Sequence, residues 1–512
     1  MIETINDWPL VRFVIPVFPE VNIFSRQAKI TTALGPVLVA TVANKLWGWR
    51  VEVIDENNYR GPRNSQGLPD HLVLQKENPA AIVGFYCGLT STMERVWEVA
   101  DFYHQEKVIT IASGWHAYYC PEETLNHNID VVVQGDGEPV IQQILNVLQK
   151  GKSLEDIPGI SFLKEGQVKS NLPGMLEVSD LNDLPYPDFG LLRYAKMEIY
   201  PIGRIRGCGM NCEFCSVKGK PRWAGADYLF NVVKWLRETR KARHFFIVDD
   251  RLEEDLGGTL EFFRRVSEKY GSQLHFTVQI RLEAAKNTEL LEIMKKAGVR
   301  TVCIGYESPI DGDLRTMRKG YLSSHMLEWT KIWRRYFWVH GMFIVGYPLK
   351  EKKISISAKE IIKRFGKFIR KAAPDTVQIL LPVPIVGTDL RQRLEKEGRI
   401  FPLELVPWNK YDGSYLCFKP DIMTLREFQE VALKLMSRFY NPWSFIRIPL
   451  RIITFLFDLC IRGWGDWRRG WKRDIKQCGG HLLIQQWQKK QKGDKFIERL
   501  EGYLQNKNKT QY

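Results

Sequence analysis

"IYPIGRIRGCGMNCEFCSVKGKP", residues 199–221, runs from an apolar segment of β character into three cysteines spaced C-x3-C-x2-C, at Cys208, Cys212 and Cys215. A structural zinc site usually takes four protein ligands, and disulfides take cysteines in pairs, so a set of three needs another explanation. A strand feeding directly into the loop places the thiols at the strand's C-terminal end, where a (β/α) barrel keeps its chemistry. Thiolates also hold iron–sulfur clusters, usually four to a four-iron cluster, so three of them leave one iron open to an outside ligand.

Outward from that loop the chain alternates strand and helix. "RHFFIVDD" (243–250), "LHFTVQIR" (274–281), "RTVCIGYES" (300–308), "VHGMFIVGYP" (339–348) and "TVQILLPVP" (376–384) read as buried strands. Helical stretches such as "NTELLEIMKKAG" (287–298), closed by a glycine, lie between them. Six such repeats over 196–400 predict a partial or complete (β/α) barrel with its site at the C-terminal mouth. Upstream, runs at 10–17, 50–55, 80–86, 108–113 and 130–135 alternate with amphipathic segments. They predict an α/β domain over 1–150, a doubly wound parallel sheet whose ligands sit beyond the strand ends. Residues 151–195, with a small β excursion and the proline-punctuated "SDLNDLPYPDF", read as a linker. The segment 401–512 is helical, basic and rich in tryptophan.

At 512 residues the chain is too long for one ordinary core, and 44% hydrophobic with 26% charged residues is a globular composition. Cys87, Cys120, Cys303, Cys417, Cys460 and Cys478 follow no motif spacing, which argues against a disulfide framework and fits a reducing cytoplasm. The first residues lack a signal-peptide pattern, and no uninterrupted apolar run reaches membrane-spanning length. A net charge of +15 comes without any nucleic-acid-binding motif, so no nucleic-acid partner is expected.

The cysteine loop, with Phe214 before its third cysteine, resembles the cluster motif of the radical S-adenosylmethionine (radical SAM) superfamily. The resemblance implies a 4Fe-4S cluster on Cys208, Cys212 and Cys215, its open iron chelated by the amino and carboxylate groups of SAM. One electron from the cluster then cleaves SAM to a 5′-deoxyadenosyl radical. It also implies SAM contacts from Phe214 and from strand ends further along. Asp249 and Asp250 fall where the family holds the amino group, and Gln279 and Arg281 are candidates for the carboxylate. Glu307 falls at the ribose, and Ile344 and Gly346 beside the adenine. An electron donor such as flavodoxin or ferredoxin follows from the same chemistry.

The α/β domain ahead of the barrel is similar to the cobalamin-binding module of cobalamin-dependent radical SAM enzymes. "ASGWHAYYCPEETL" (112–125) and "DVVVQGDGEPV" (130–140) resemble the turns along the nucleotide tail, with Ser113, Gly114 and Gly135 as the small residues that let backbone approach. "GFYCGLTSTM" (84–93) resembles the loop facing the corrin, giving Thr90 and Ser91 as polar contacts. The mutase-type D-x-H-x-x-G motif is absent from the loop 18–35, which implies cobalamin bound without a protein histidine on cobalt. His116 touches the tail or packs locally.

These resemblances imply a cobalamin-dependent radical SAM methyltransferase acting on an unactivated carbon of a small-molecule or lipid-like substrate. Ring-forming or rearranging enzymes share the cofactors, and a non-catalytic cluster-bearing sensor or scaffold is a further alternative. In the tail, 442–474 mixes aliphatics and four tryptophans with seven Lys or Arg against three Asp. It reads either as a packed helix with a basic tail or as an interfacial helix on the inner face of a membrane.

Overall fold

The computed structural model describes residues 8–19, 25–171, 176–351 and 356–509. The first seven residues and part of the histidine-free loop, 20–24, lie outside that set. Contacts divide the chain into two compact units. The first comprises 1–209, 216–276 and 385–387, and the second 210–215, 277–384 and 388–512. The first unit thus runs through the expected boundaries at 150 and 196.

In the first unit β1 (Leu10–Ile15), β2 (Arg50–Asp55), β3 (Ala80–Tyr86), β4 (Ile109–Ser113) and β5 (Val131–Val133) form a parallel sheet in the order β2-β1-β3-β4-β5. All six residues of β1 are buried, as a strand covered on both faces requires. Val11, Phe13 and Ile15 pack with Ile82, Ile111, Val131 and Val133 against the helices Leu34–Ala43 and Gly137–Gln149. On the opposite face, fully buried Arg12 bonds Glu52 (2.6 Å), the Tyr103 hydroxyl (2.8 Å) and the Leu74 and Asn78 carbonyls (3.1 and 2.7 Å). This strand order reverses direction between β1 and β3, where such sheets open a crevice at the strand ends.

The expected linker is partly sheet. β6 (Ile160–Lys164) pairs antiparallel with β5, and β7 (Gln167–Ser170) pairs with β6. Their tight turn has Glu165 and Gly166 at φ of 52° and 75°, the hairpin geometry that favours glycine. The same unit continues into β8 (Ile199–Ile202), β9 (Ile205–Arg206), β10 (Arg222–Trp223) and β11 (His244–Ile247). β8 and β11 are parallel, whereas β9 and β10 pair antiparallel and close the base of the cysteine loop as a stem.

β12 (His275–Ile280) carries the chain from the first unit into the second. There β13 (Val299–Glu307), β14 (Trp338–Ile344) and β15 (Thr376–Leu380) pair in parallel. Each is followed by a helix, and Tyr306, Phe343, Phe365 and Phe368 pack between strands and helices as an aromatic core. The tail, expected to be helical from 401, is irregular over 401–424 apart from the short turn of helix Trp408–Lys410, and mostly helical from Leu425 on. Leu425–Phe439 opens on a Thr424/Glu427 capping box, and Trp443–Ile453, Phe455–Gly493 and Phe496–Lys509 follow. The long third helix breaks at Gly463, whose φ is 75°.

Candidate functional site

The stem β9–β10 fixes where the cysteine loop leaves the first unit. Asp249 and Asp250, just past β11, secure the approach to it: Asp249 Oδ1 accepts from the amides of Arg204 (2.6 Å) and Ile205 (2.9 Å), and Asp250 Oδ2 accepts from Gly207 (2.7 Å). Burial pushes the Asp249 carboxyl up to about 6 against the pull of those two amides, and burial also raises Asp250. The second oxygen of Asp249 is buried with no hydrogen-bond partner among the described residues. Both aspartates, expected to meet SAM, are therefore first of all anchors for the strand that leads into Cys208.

The same carboxylates line a cavity of about 390 Å³ within the first unit. Its walls come from the ends of β1, β3, β4 and β5, from Arg204 to Gly207 ahead of the cysteines, and from Val217, Lys218, Lys220 and Arg222 behind them. Ser113, Gly114 and Gly135 are on the wall. Gly114 stands at φ 129°, and a Cβ there would lie 2.5 Å from the Cys87 carbonyl carbon and from the Gly88 amide nitrogen. Only glycine lets the chain pass so close. Arg206 is held at the wall by Glu138 (2.5 Å) and Asp136 (2.9 Å), and Arg222 by Asp136 (3.0 Å). Burial alone would lower the Arg206 pKa, but Glu138 and Asp136 reverse this and raise it.

Thr90, Ser91 and His116 are not among the residues that line this cavity. All three are buried. His116 Nδ1 lies 3.3 Å from Thr90 Oγ1, and its Nε2 lies 3.3 Å from Glu123 Oε2. The imidazole, carried by the short helix Trp115–Tyr119, lies between Thr90 and Glu123.

In the second unit, Cys212 is buried while Phe214 and Cys215 are half-buried. Between them Glu213 is 1% exposed and clamped by Arg393 (3.0 and 3.1 Å) and by the Tyr347 hydroxyl (2.9 Å). Its backbone is also pinned: the Glu213 amide donates to the Met317 carbonyl (3.2 Å), and its carbonyl accepts from the Leu390 amide (2.9 Å). Burial together with the Glu213 carboxylate raises the Tyr347 hydroxyl's pKa, so it stays a donor. Phe214 meets the Tyr347 ring edge-on at 6.3 Å.

Glu307 ends β13 at φ 56°, an unfavourable left-handed conformation for glutamate, beside a register shift between Gly305 and Glu307. Its carboxylate accepts from the buried Lys319 ammonium at 3.0 Å. Burial would lower the Lys319 pKa, but Glu307, with Tyr321 and the Cys212 thiol, raises it, so the ammonium is charged. Arg281 reaches the Lys319 carbonyl (3.4 Å) and pairs with Glu283, which puts Arg281, Glu307, Lys319 and Cys212 in one neighbourhood. Gln279 is exposed and Ile344 half-buried. Gly346 has φ 75°, and a Cβ there would lie 2.5 Å from the Phe428 ring.

Residues 202–361 match the model of the Radical SAM superfamily. The segment is a radical SAM domain. The chain is 26% identical over 408 residues to the uncharacterized methyltransferase PH0819 of Pyrococcus horikoshii, covering 76% of this chain and 85% of that one. It is 22% identical to the anaerobic magnesium-protoporphyrin IX monomethyl ester cyclase of Rubrivivax gelatinosus, covering 72% and 68%. Among solved structures, the cobalamin-dependent SAM radical enzyme OxsB, with aqua-cobalamin and SAM bound, superposes with a TM-score of 0.64 at 14% identity over 98% of this chain and 81% of that one. The fold expected of the sequence is therefore present: a doubly wound sheet, a radical SAM barrel-type domain and a helical tail. Within the radical SAM domain and its surroundings, Lys319, Glu213 and Arg393 were not foreseen. Their partners lie 12 and 180 residues away, and no local motif links them.

Proposed function

We propose that the protein is a cobalamin-dependent radical SAM methyltransferase acting on an unactivated carbon. The observation that carries the reading is a glycine-cradled cavity whose wall includes both arms of the cysteine loop and Asp249. Ser113, Gly114 and Gly135 would hold cobalamin there. Cys208, Cys212 and Cys215 would hold a 4Fe-4S cluster, and Phe214, Gln279, Arg281, Glu307, Ile344 and Gly346 would hold SAM. When bound, these groups supply single-electron cleavage of SAM and a transferable methyl.

The chain's own residues do the positioning. Arg393 and Tyr347 lock Glu213, so Cys212 and Cys215 leave a backbone that is fixed on both sides. Lys319 holds the Glu307 carboxylate as an oriented acceptor suited to ribose hydroxyls, while Arg281 presents a planar fork suited to a carboxylate. Buried Tyr347 and Lys319 keep their protons and remain donors throughout. The likeness to the cyclase favours a second reading, ring formation or rearrangement with the same cofactors. Small-molecule or lipid-like substrates, a flavodoxin- or ferredoxin-type donor and a cytoplasmic setting complete the proposal.

The test is anaerobic reconstitution followed by incubation with SAM and reductant. Methyl transfer is expected to yield 5′-deoxyadenosine together with S-adenosylhomocysteine, both lost in Cys212→Ala. 5′-Deoxyadenosine alone would favour the ring-forming reading, and neither product would leave only a cluster-bearing scaffold.

A further inference from the structure

The helix Trp443–Ile453 is built inside out. At about 100° per residue, Trp443, Phe445, Ile446, Leu450, Ile452 and Ile453 fall within half of its circumference, and all six are exposed, Ile453 by 79%. The other half, turned to the protein, carries Ser444, Arg447 and Arg451 beside half-buried Ile448. Ser444 Oγ accepts from the Cys478 thiol (3.3 Å), Arg447 donates to Gln477 (3.0 Å), and Arg451 pairs with buried Asp474. A surface helix of a globular protein shows the reverse arrangement. The apolar face continues through Leu456 and Phe457, 72% and 67% exposed. An apolar surface this continuous marks a binding face.

Charge and aromatic placement identify what covers it. No acidic residue occurs from Asn441 to Phe457. On the neighbouring helix, exposed Trp464, Arg468 and Lys472 follow one another at four-residue spacing and so share one face. Tryptophan thus stands at both ends of the apolar band, at Trp443 and Trp464, with cations beside it, which is the composition of an interfacial helix. Eleven residues make a helix of about 16 Å, far short of a bilayer core of about 30 Å. No described helix is long and apolar enough to cross a membrane. The helix can only lie in the plane of the surface.

We propose that Trp443–Ile453, with Leu456 and Phe457, beds into the headgroup–acyl boundary of an anionic bilayer, and that Arg468 and Lys472 engage the lipid phosphates. The docking is a property of the tail and is independent of the chemistry assigned to the cysteine loop.

Density-gradient flotation of the full chain tests this with vesicles of phosphatidylcholine plus phosphatidylglycerol, against phosphatidylcholine alone. The protein floats with the anionic vesicles and several-fold less with the neutral ones, and raised salt weakens the binding. Ile453→Glu with Phe457→Glu, both at exposed positions and expected to leave the thermal melt intact, lowers flotation at least about tenfold. Arg468→Ala with Lys472→Ala lowers it roughly tenfold on anionic vesicles only. Wild-type protein that stays at the bottom of the gradient, or a double glutamate variant that floats like wild type, overturns the proposal. So does a lipid-free dimer by light scattering that the glutamate variant dissolves, because the face would then belong to a second copy.

Discussion

Two carboxylates show how single residues are placed under strain to serve a site. Glu307 adopts an unfavourable φ of 56° and is held there by the Lys319 ammonium at 3.0 Å. Lys319→Met leaves a buried carboxylate unpaired and should cost about 3 kcal/mol of stability by denaturant unfolding. Adding Glu307→Gln should recover most of that loss while SAM binding stays weak. Equal, additive losses in the double-mutant cycle would show that the pair is not coupled. Asp249 differs in that burial raises its pKa to about 6 from an ordinary 3.8. The folded state therefore binds a proton more tightly than the unfolded chain, and the stability this contributes is complete below about pH 4 and lost as pH rises through 6. Asp249→Asn keeps an acceptor for the Arg204 and Ile205 amides without that dependence. Its stability relative to wild type should climb between about pH 4 and 6, by up to about 3 kcal/mol, and stay level above, as thermal melts across pH would show. Such roles were legible only in part. The sequence pattern put Asp249, Asp250 and Glu307 at strand ends, but not the amides of 204, 205 and 207 or the ammonium at 319, because those contacts depend on how the loops return.

Elements were more legible than contacts. Every apolar run read as a strand upstream of the linker and along the barrel is a strand, through unbroken burial in β1 and alternate burial in β12, β13 and β14. The hairpin β6–β7 reads as a small β excursion in the linker, but its tie to the sheet is not legible, because it rests on pairing with β5 while β7 is mostly exposed and polar. For His116 the sequence leaves tail contact and local packing open, and its ring nitrogens lie against Thr90 and Glu123. The cysteine loop likewise depends on elements far away in sequence. Helix Asp389–Lys396 carries Arg393 onto Glu213, and the stem β9–β10 closes the loop's other end. Arg393→Ala should leave the buried Glu213 charge with only the Tyr347 hydroxyl and Lys350, 3.8 Å away, costing about 3 kcal/mol locally. Iron retained after anaerobic gel filtration should fall well below wild type, whereas Arg393→Lys should recover part of it through one remaining contact. Full iron retention in Arg393→Ala would show that the clamp does not hold the loop.

Across the whole molecule, the residues assigned to the two large cofactors divide between different parts of the chain. The cavity wall lies within the first unit, and Arg281, Glu307, Lys319, Ile344 and Gly346 lie within the second. The cysteine loop belongs to both, with Cys208 in one and Cys212 and Cys215 in the other. Binding of cobalamin and assembly of the cluster should therefore be separable, although turnover needs both. Ser113→Trp fills the cavity from the end of β4 without asking for left-handed backbone, and should abolish cobalamin uptake measured by visible absorption of the gel-filtered protein. Its iron content and its reductive cleavage of SAM to 5′-deoxyadenosine should stay within about twofold of wild type, since the substitution touches no group that holds the cluster or SAM. Cys212→Ala should do the opposite, losing iron and cleavage while binding cobalamin. If Ser113→Trp lost its iron as well, with an unchanged melting temperature, the two sites would be one cooperative centre, and the cavity would have to be regarded as part of the cluster's own environment.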